Sequence, residues 1–296
     1  MSFGRPRFSI VIPCYNEALF IQNTLESLKQ QTFRGSVEVI VVDNNCADET
    51  GVLAKSYGAT VVYESHPGVT SARQAGTAVA AGEIVVSTDA DTVFEKNWLE
   101  KIDLNFKKHK SAVAVAGPCK YLNAPIWGKL YPKFLFGGVN IKYRLTGRPF
   151  YVTATNIAFK KSAWQSYNTT LTQGGDELDL LSNLQSRGKV VFDNTNPTLT
   201  SARRLEQGFI YNFVVTFLIY YILAYNVNKL FNRTVFGTAP AYRTSKSISY
   251  TRSLSYKIAL ATVAVIALAW IPVKSDIVLF SHDAFTTAGD VIRDLI

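Results

Sequence analysis

Residues 8–17 read FSIVIPCYNE, an apolar run that becomes polar after Pro13. The run is rich in β-branched residues, which is typical of strands buried on both faces of a parallel sheet. Three similar runs follow along the chain, at residues 37–42, 60–63 and 84–87. Between these runs, residues 18–30 and 70–81 repeat apolar positions at helical spacing. This alternation predicts right-handed βαβ units, a parallel sheet and therefore an α/β fold.

The pattern changes near residue 118. Residues 118–148 are aromatic and basic and show no periodicity that predicts an element. Around them we predict strands at residues 113–115, 151–159 and 190–193, and a helix at residues 176–187 that ends at Gly188.

Polar residues follow three of the predicted strands, at residues 13–17, 43–48 and 89–91. In open α/β sheets ligands bind beyond the carboxyl ends of the strands, so these loops should converge on one crevice. In Asp89-Ala90-Asp91 the two carboxylates project to the same side of an extended segment. Paired carboxylates suit Mg²⁺ or Mn²⁺, which can also bind a diphosphate, although Asp-x-Asp by itself also occurs in solvated turns.

The basic charge is unevenly distributed. Lys and Arg number 31 and Asp and Glu 22, giving a net charge of +9. Residues 104–175 hold eleven Lys or Arg and no acid, and residues 207–275 are also free of acids. Nucleic acid, an anionic small substrate or an anionic membrane would each fit this excess. We expect no nucleic-acid partner, because the charges lie among membrane-like segments and no nucleic-acid-binding signature is present.

Two apolar segments lie in the last third of the chain, at residues 209–225 and 258–273. Each is shorter than the ~20 residues of a full membrane span, and two buried helices are the alternative. Aromatic flanks, and Lys257 and Lys274 around the second segment, favour membrane attachment. Five Lys or Arg within residues 232–257 oppose placing that loop outside the cell, so the number of passes stays open.

The cysteines and the N-terminal sequence indicate the cellular compartment in which the start of the chain lies. Cys14, Cys46 and Cys119 show neither zinc-site nor disulfide-framework spacing, and they suit a reducing compartment. A predicted strand begins within eight residues of the N-terminus, which leaves no room for a signal peptide. We therefore expect the start of the chain to be cytoplasmic.

Four motifs resemble, in order and spacing, those of family 2 glycosyltransferases with a GT-A fold. They are FSIVIPCYNE at 8–17, VEVIVVDNNCADET at 37–50, GVTSARQAG at 68–76 with AAGEIVVSTDAD at 80–91, and GGDELDL at 174–180. The resemblance covers about residues 8–195. It implies a membrane-associated, inverting transferase of the hexosyltransferase class that uses a nucleotide-diphosphate sugar and a divalent cation, Mg²⁺ or Mn²⁺.

The resemblance also implies a domain organisation. Residues 1–205 would form the GT-A catalytic domain, in the cytoplasm, with a nucleotide-sugar half at 1–117 and an acceptor half at 118–205. Residues 206–296 would form a C-terminal membrane-associated helical region. The acceptor would be a membrane lipid or lipid-linked glycan, as in cell-envelope glycan biosynthesis, and the protein would contact the membrane surface.

On the donor side, the resemblance assigns roles to individual residues. Pro13, Tyr15, Asn16 and Glu17 would contact the nucleoside, with Pro13 ending the first strand. Asp43 would accept a hydrogen bond from the base, Arg73 would lie near the base and phosphates, Asp91 would bind the metal, and Asp89 would lie closer to the ribose and diphosphate. A structural alternative gives Asn16 a helix-capping role and Glu17 a place in the first turn, and Asp48 and Thr50 are assigned to a helix start.

On the acceptor side, Glu177 aligns with the general base of the family. The family order is Glu then Asp, whereas this chain reads Asp176-Glu177, so Asp176 stays a candidate base. The Gln-x-x-Arg-Trp motif of processive synthases is absent from the sequence. Arg203 and Arg204 would instead clamp a diphosphate or acceptor phosphate, or bind anionic lipid. Asn44-Asn45-Cys46 departs from the common Asp-Gly-Ser.

Two alternative functions are weighed against this one. A GT-A-like nucleotidyltransferase would release pyrophosphate, but no Gly-rich phosphate loop follows the first strand. A non-catalytic, membrane-bound module that binds nucleotide-sugar or lipid is disfavoured by the intact acidic motifs. The sequence does not identify the donor sugar, its base or the acceptor.

Overall fold

The computed structural model describes residues 4–170, 175–231, 233, 235 and 236. Its first half alternates strands and helices as the sequence predicts, and the predicted strands at the start of the chain are confirmed. The elements in chain order are β1 (Phe8–Cys14), α1 (Ala18–Lys29), β2 (Val37–Asp43), α2 (Thr50–Ser56), β3 (Thr60–Tyr63), α3 (Val69–Val79), β4 (Ile84–Ser87), β5 (Thr92–Val93), α4 (Trp98–Lys108) and β6 (Ala112–Ala116).

The second half contains a long helix and shorter elements. They are β7 (Cys119–Leu122), α5 (Ile126–Thr146), β8 (Ile157–Lys160), a 3₁₀ turn (Lys161–Ala163), α6 (Gly175–Arg187), β9 (Lys189–Phe192), β10 (Thr198–Ser201) and a 3₁₀ helix (Arg203–Gln207). A helical run then follows, made of α7 (Phe209–Tyr211), a π-helix (Asn212–Ala224) and α8 (Tyr225–Phe231).

The main sheet has seven strands in the order β3-β2-β1-β4-β8-β6-β9. Strands β1 to β4 are parallel, with Phe8 opposite both Val37 and Ile84. The prediction of a wholly parallel sheet is wrong at one strand, because β8 runs antiparallel to both β4 and β6, whereas β6 and β9 again pair in parallel. After β6 the chain forms β7 and α5 and returns at the same end of the sheet, so β8 has to run in the opposite direction.

The prediction of a strand over residues 151–159 is correct only for its last part. Residues 151–156 are irregular because their polar groups bind other segments rather than a neighbouring strand. Asn156 accepts a hydrogen bond from Trp98 Nε1 (3.0 Å) and donates to the carbonyl oxygens of Pro118 (2.9 Å) and Asn196 (2.8 Å).

A second, three-stranded sheet has the order β5-β10-β7. Its strand β10 pairs antiparallel with β5, placing Thr200 opposite Thr92. The Ser201 N–H extends this pairing to the carbonyl oxygen of Asp91 (3.1 Å). The small sheet therefore joins the chain after β4 to the segment that leads into the C-terminal helical run.

Buried apolar side chains cover both faces of the main sheet. On one face α1 and α4 contribute residues such as Ile21, Leu25, Trp98 and Phe106. On the other face α3, α5 and α6 contribute Ala72, Phe136, Val139 and Leu184. This three-layer arrangement is the one expected of an α/β domain.

The apolar segment predicted at residues 209–225 is helical and spread over α7, the π-helix and the start of α8. Among the described residues, no helix is both long enough and apolar enough to cross a membrane. The second apolar segment, residues 258–273, lies outside the described residues. So do residues 256–296 as a whole, which form the second of the two units into which the chain divides.

Candidate active site

The ends of the parallel strands bring the predicted polar loops together. Cys14 and Asp43, the last residues of β1 and β2, lie opposite each other, and Asp89-Ala90-Asp91 connects β4 to β5. The Thr24 hydroxyl of α1 donates to the carbonyl oxygen of Ala90 (2.7 Å), which ties this connection to the first helix.

Arg203 joins the first loop to Asp91. Its two Nη atoms donate to the two carboxylate oxygens of Glu17, each at 2.8 Å, and Nη2 lies 3.0 Å from Asp91 Oδ2. The guanidinium also lies 4.8 Å from the centre of the Phe20 ring. A bidentate arginine–carboxylate pair of this kind is a strong, geometrically specific contact. The contact of Arg203 with Asp91 follows from the pairing of β10 with β5, because this pairing brings the start of the 3₁₀ helix next to Asp91.

The side chain of Asp91 is largely enclosed by this arrangement and is 11% exposed. Thr200 Oγ1 lies 3.2 Å from Asp91 Oδ1 and donates to it. Burial raises the pKa of Asp91 to about 6, although the positive charge of Arg203 opposes the rise. Burial by itself would lower the pKa of Arg203, but the hydrogen bonds to Glu17 and the charge of Asp91 raise it instead. Arg203 is therefore a permanent cation at Asp91.

Arg73 forms a second bridge between carboxylates. It lies on α3, and its Nη2 donates to Asp89 Oδ1 (2.8 Å) and its Nη1 to Asp176 Oδ2 (2.6 Å). Both Arg73 and Asp176 are buried. Desolvation tends to lower the pKa of Arg73, but Asp89 and Asp176 raise it, so the guanidinium stays charged. This bridge connects the acidic motif after β4 to the first turn of α6.

Glu177 lies next to this bridge and has different partners. Its Oε2 accepts a hydrogen bond from the Tyr151 hydroxyl and its Oε1 one from the Ala154 N–H, both at 2.9 Å. Burial, followed by the negative charge of Asp176, raises the pKa of Glu177 to about 7. The carboxylate is thus held in place with a pKa near neutrality, as a general base requires.

The loop after β1 does not have the predicted arrangement, in which Pro13 ends the strand and Asn16 caps the following helix. Strand β1 continues to Cys14, so Pro13 lies inside the strand and does not end it. Asn16 does not cap α1, because its backbone is left-handed (φ 54°) and its Oδ1 accepts from the Ala47 N–H (2.6 Å). Asp48 Oδ2 accepts from the Ala18 N–H at the start of α1 (3.1 Å).

Glu17 precedes α1 instead of lying in its first turn, and its carboxylate turns towards Arg203. The side chain of Tyr15 is exposed. Thr50 begins α2, as predicted, and its Oγ1 accepts from the Glu17 N–H (2.8 Å). The first loop is thus fixed by contacts with the loop after β2.

The loop after β2 is held by its own side chains. Asp43 Oδ1 accepts from the Cys46 N–H (2.8 Å). The buried Asn44 accepts from the Gly68 N–H (2.8 Å) and donates to the carbonyl oxygens of Glu64 and His66 (2.8 and 2.7 Å). Asn44 therefore fixes the chain just before α3, the helix that carries Arg73.

Arg204 lies beside Arg203 in the 3₁₀ helix. Its carbonyl oxygen accepts from Asn212 Nδ2 (2.9 Å), at the start of the π-helix. Of the two arginines, it is the Arg203 guanidinium that the structure places between Glu17 and Asp91.

The charges of the site define what it could hold. Five carboxylates and two guanidiniums lie together in the site. They belong to Glu17, Asp89, Asp91, Asp176, Glu177, Arg73 and Arg203. Among the described residues, no three His, Cys, Asp or Glu side chains are grouped as a metal site by themselves. Mg²⁺ commonly takes one or two carboxylates and completes its shell with substrate phosphates and water. Asp89 and Asp91 fit that donor set.

The sequence model of the glycosyl transferase family 2 matches residues 9–167, more than half of the chain. The chain belongs to glycosyl transferase family 2. The match begins within β1 and extends past β8, so it includes the strand ends that carry Glu17, Asp43 and Asp91.

Several proteins of similar sequence are named as glycosyltransferases. Glycosyltransferase AglE of Haloferax volcanii is 32% identical over 108 residues, covering 34% of this chain and 36% of AglE. The minor teichoic acid biosynthesis protein GgaB of Bacillus subtilis is 27% identical over 115 residues, covering 36% of this chain and 13% of GgaB. The aligned region spans about a third of the length of AglE, and less of GgaB.

Solved structures share the fold at lower identity. TarS 1–349 of S. aureus in complex with UDP superposes with a TM-score of 0.54 at 19% identity, covering 76% of this chain and 72% of TarS 1–349. Glucosyl-3-phosphoglycerate synthase of Mycobacterium tuberculosis, in complex with Mn²⁺, UDP and glucosyl-3-phosphoglycerate, gives 0.50 at 22% identity, covering 69% and 75%. These likenesses support the predicted GT-A-type α/β fold.

Three residues of the site carry no signal in the sequence. Tyr151 and Ala154 belong to the irregular segment before β8, and Thr200 lies in a strand that the sequence does not predict. Each reaches the site only through the tertiary fold. The family motifs identify the carboxylates, but not the groups that orient them.

Proposed function

We propose that the protein transfers a sugar from a nucleotide-diphosphate donor to an acceptor, with inversion at the anomeric carbon. The observation that carries this proposal is the Arg73 bridge, which holds Asp89 and Asp176 in one cluster although 87 residues separate them in the chain. Arg73 thereby places the acidic motif on the donor side next to the candidate base. Family membership supplies the reaction class, and the UDP complexes of the structural neighbours support a nucleotide donor.

On the donor side, Asp91 and Asp89 would hold Mg²⁺ or Mn²⁺. Such an ion, when bound, supplies positive charge to the departing diphosphate. The site supports this assignment because its carboxylates outnumber its guanidiniums and the donor is itself an anion. The Arg203 guanidinium adds a further cation within reach of a diphosphate bound at Asp91.

On the acceptor side, we assign Glu177 as the general base. Asp176 already has one oxygen engaged in an ion pair with the Arg73 guanidinium at 2.6 Å. Glu177 has a pKa near 7, so it can take a proton from an acceptor hydroxyl and release it to solvent. Tyr151 and Ala154 hold its carboxylate in one orientation.

We further propose a membrane lipid or lipid-linked glycan as the acceptor, and a membrane-associated protein with a cytoplasmic catalytic domain. The basic region at residues 104–175 supports an anionic acceptor or surface. The relative named for minor teichoic acid biosynthesis supports a role in cell-envelope glycan synthesis. If the acceptor is a phosphate that is already an anion, Glu177 contributes less to the rate.

The test is a donor panel. Membranes containing the full chain are incubated with radiolabelled UDP-, GDP- and dTDP-sugars, and the products are separated by lipid extraction. We expect label in the organic phase and release of nucleoside diphosphate with one donor, and loss of both in Asp91→Asn. Release of pyrophosphate would indicate a nucleotidyltransferase. Donor binding without any product would indicate a non-catalytic module.

A further inference from the structure

Helix α5 has an exposed apolar face. Ile126, Leu130, Phe134, Ile141 and Leu145 are exposed by 79, 42, 77, 63 and 80%, respectively. Their spacing of four or seven residues places them along one side of the helix, and we call this set the α5 face. A contiguous apolar face on the surface of a protein usually marks an interaction site.

The opposite side of α5 is already packed against the domain. Phe136 and Val139 are buried, and the Phe136 ring lies 6.3 Å from that of Phe192 on β9. At Gly128 the helix approaches the 3₁₀ helix so closely that an added Cβ would lie 2.6 Å from Leu205 Cδ1. Because these contacts already attach α5 to the domain, the α5 face is not needed for its attachment.

Basic side chains border the α5 face. These exposed side chains all belong to α5 itself and are those of Lys129, Lys133, Lys142 and Arg144. No acid occurs between residues 104 and 175 to neutralise them. Lys and Arg next to an apolar face can lay their methylene stems along it while their charges reach lipid headgroups. This combination is complementary to an anionic bilayer surface.

The exposed apolar surface continues into the C-terminal helical run. Trp127 of α5 meets Phe209 edge to face, with ring centres 5.6 Å apart. Phe209, Ile210 and Phe213 are themselves 56, 64 and 47% exposed. Helix α5 and the start of the run therefore present one aromatic and aliphatic surface, and tryptophan, phenylalanine and leucine are typical of the apolar faces of helices that lie in a membrane interface.

We propose that the α5 face docks in the plane of an anionic phospholipid bilayer, without spanning it. The charge pattern favours an anionic bilayer as the occupant, because all four charged side chains of α5 are basic. The inference rests on the membrane association proposed above and names the surface that would mediate it, but it does not depend on the proposed sugar transfer. It also connects to that proposal, since Phe136 of α5 lies 6.1 Å from Tyr151, the residue that binds Glu177. Docking would bring lipid headgroups to the side of the domain that carries the candidate base.

The direct test places an environment-sensitive fluorophore on the α5 face of the full chain. Phe134→Cys is labelled, and Leu104→Cys on α4 is the matched control, since Leu104 is also exposed and near lysines. We expect the probe at 134 to shift to the blue with phosphatidylglycerol-containing vesicles and to be quenched by brominated lipid chains. The probe at 104 should stay water-like. A water-like probe at 134 on protein that sediments with the vesicles would overturn the proposal.

A partition measurement completes the test. Phe134→Glu should weaken binding to these vesicles at least about tenfold, since it removes a buried aromatic side chain and adds a charge. Lys133→Gln should weaken it about fivefold at low salt, and Leu104→Glu should leave it unchanged. If Phe134→Glu instead breaks up a dimer and binds vesicles normally, the partner is a second copy and the proposal is wrong. Donor hydrolysis in detergent should be unaffected by Phe134→Glu, which separates this test from that of the proposed activity.

Discussion

As the proposed general base, Glu177 makes the pH dependence of the reaction predictable. Its raised pKa, about 7, means that the carboxyl is protonated and inactive as a base below that pH. We expect kcat/KM to rise with pH through about 7, and Glu177→Gln to remove this rise and to lower the rate by about 10²–10⁴-fold. The measurement is a pH–rate profile with a neutral acceptor.

A substitution at Tyr151 tests whether Glu177 is the group that titrates in this pH–rate profile. Its hydroxyl binds the ionised carboxylate, and this hydrogen bond lowers the pKa of Glu177. Tyr151→Phe should therefore move the rise in kcat/KM to higher pH while keeping its shape. A profile that is identical in the wild type and in Tyr151→Phe would argue that another group titrates.

We expect Arg73 to contribute to the stability of the domain as well as to the geometry of the site. Removing it leaves the buried carboxylate of Asp176 and that of Asp89 without their shared cation. We expect Arg73→Ala to lower the free energy of unfolding by about 3–5 kcal/mol, as measured by urea denaturation. Lys101→Ala, which breaks the exposed pair with Glu95, should cost less than about 1 kcal/mol. Equal losses in the two variants would contradict this reading of the bridge.

Arg203 should compete with a divalent cation for Asp91. In the structure its guanidinium holds both Glu17 and Asp91. Arg203→Gln should therefore bind Mn²⁺ more tightly than the wild type in the absence of nucleotide, because the carboxylates lose their resident positive charge. Free Mn²⁺ can be measured by electron paramagnetic resonance. Arg34→Gln, which changes the same charge in the loop before β2, should bind as the wild type does, and an unchanged affinity in Arg203→Gln would refute the competition.

The sequence indicated the charged residues of the candidate site, but neither their pairings nor the neutral groups that orient them. The carboxylates follow strand ends or begin a helix, where local pattern and family motif both identify them. Arg73 and Asp176 are 103 residues apart and Arg203 and Glu17 are 186 apart. Such contacts depend on the completed sheet, so from the sequence lipid binding by Arg203 remained an alternative to a role in the site.

At the level of elements, the packing of α3 on the sheet positions Arg73. A Cβ at Gly76 would lie 2.5 Å from Val11 Cγ1 and 2.7 Å from Val42 Cγ2. Gly76→Val should push the helix away from β1 and β2, lowering the free energy of unfolding by about 1–3 kcal/mol and reducing transfer. Gly137→Ala in α5 is the control, since nothing lies within 4 Å of its added methyl. That change should be neutral or stabilising by up to about 1 kcal/mol, because alanine favours helices.

Thermal unfolding with an activity assay distinguishes these outcomes. Gly76→Val should lose both stability and activity, whereas Gly137→Ala should keep both. If Gly76→Val kept full stability, the close approach of α3 to the sheet would not be what fixes Arg73.

The secondary-structure elements also differ in how well the sequence predicts them. The strands β1 to β4 are compact β-branched runs, and their pattern is strong. Helix α5 has an apolar face towards the core and another towards the surface, so it lacks the one-sided periodicity that reveals most helices. Pro132 inside it also argues for a break, because proline removes a helical hydrogen bond. Its true end, Gly147, adopts the left-handed conformation of a helix C-cap.

At the scale of the whole molecule, acidic and basic side chains lie in different regions: acids in the candidate site and basic side chains along α5. Four acids of the first half, Glu17, Asp43, Asp89 and Asp91, lie at or just after strand ends, and Arg73 and Arg203 pair with three of them. The basic side chains of α5 border its exposed apolar face. The net charge of +9 therefore combines an acidic site with a basic surface, and an anionic donor would enter the acidic site with the help of a cation.

This charge balance predicts that nucleotide and metal bind together and stabilise the whole domain. A nucleoside diphosphate with Mn²⁺, at about a hundred times the dissociation constant, adds ~2.7 kcal/mol to the free energy of unfolding. For a domain of this size that corresponds to a rise in Tm of roughly 5–10 °C. Either ligand alone should give a much smaller rise, since neither balances the other's charge. Asp91→Asn or added EDTA should remove the joint rise in a thermal scan, while Lys101→Ala should retain it. A nucleotide-induced rise that survives EDTA would show that the protein's own arginines, and not a divalent cation, balance the diphosphate.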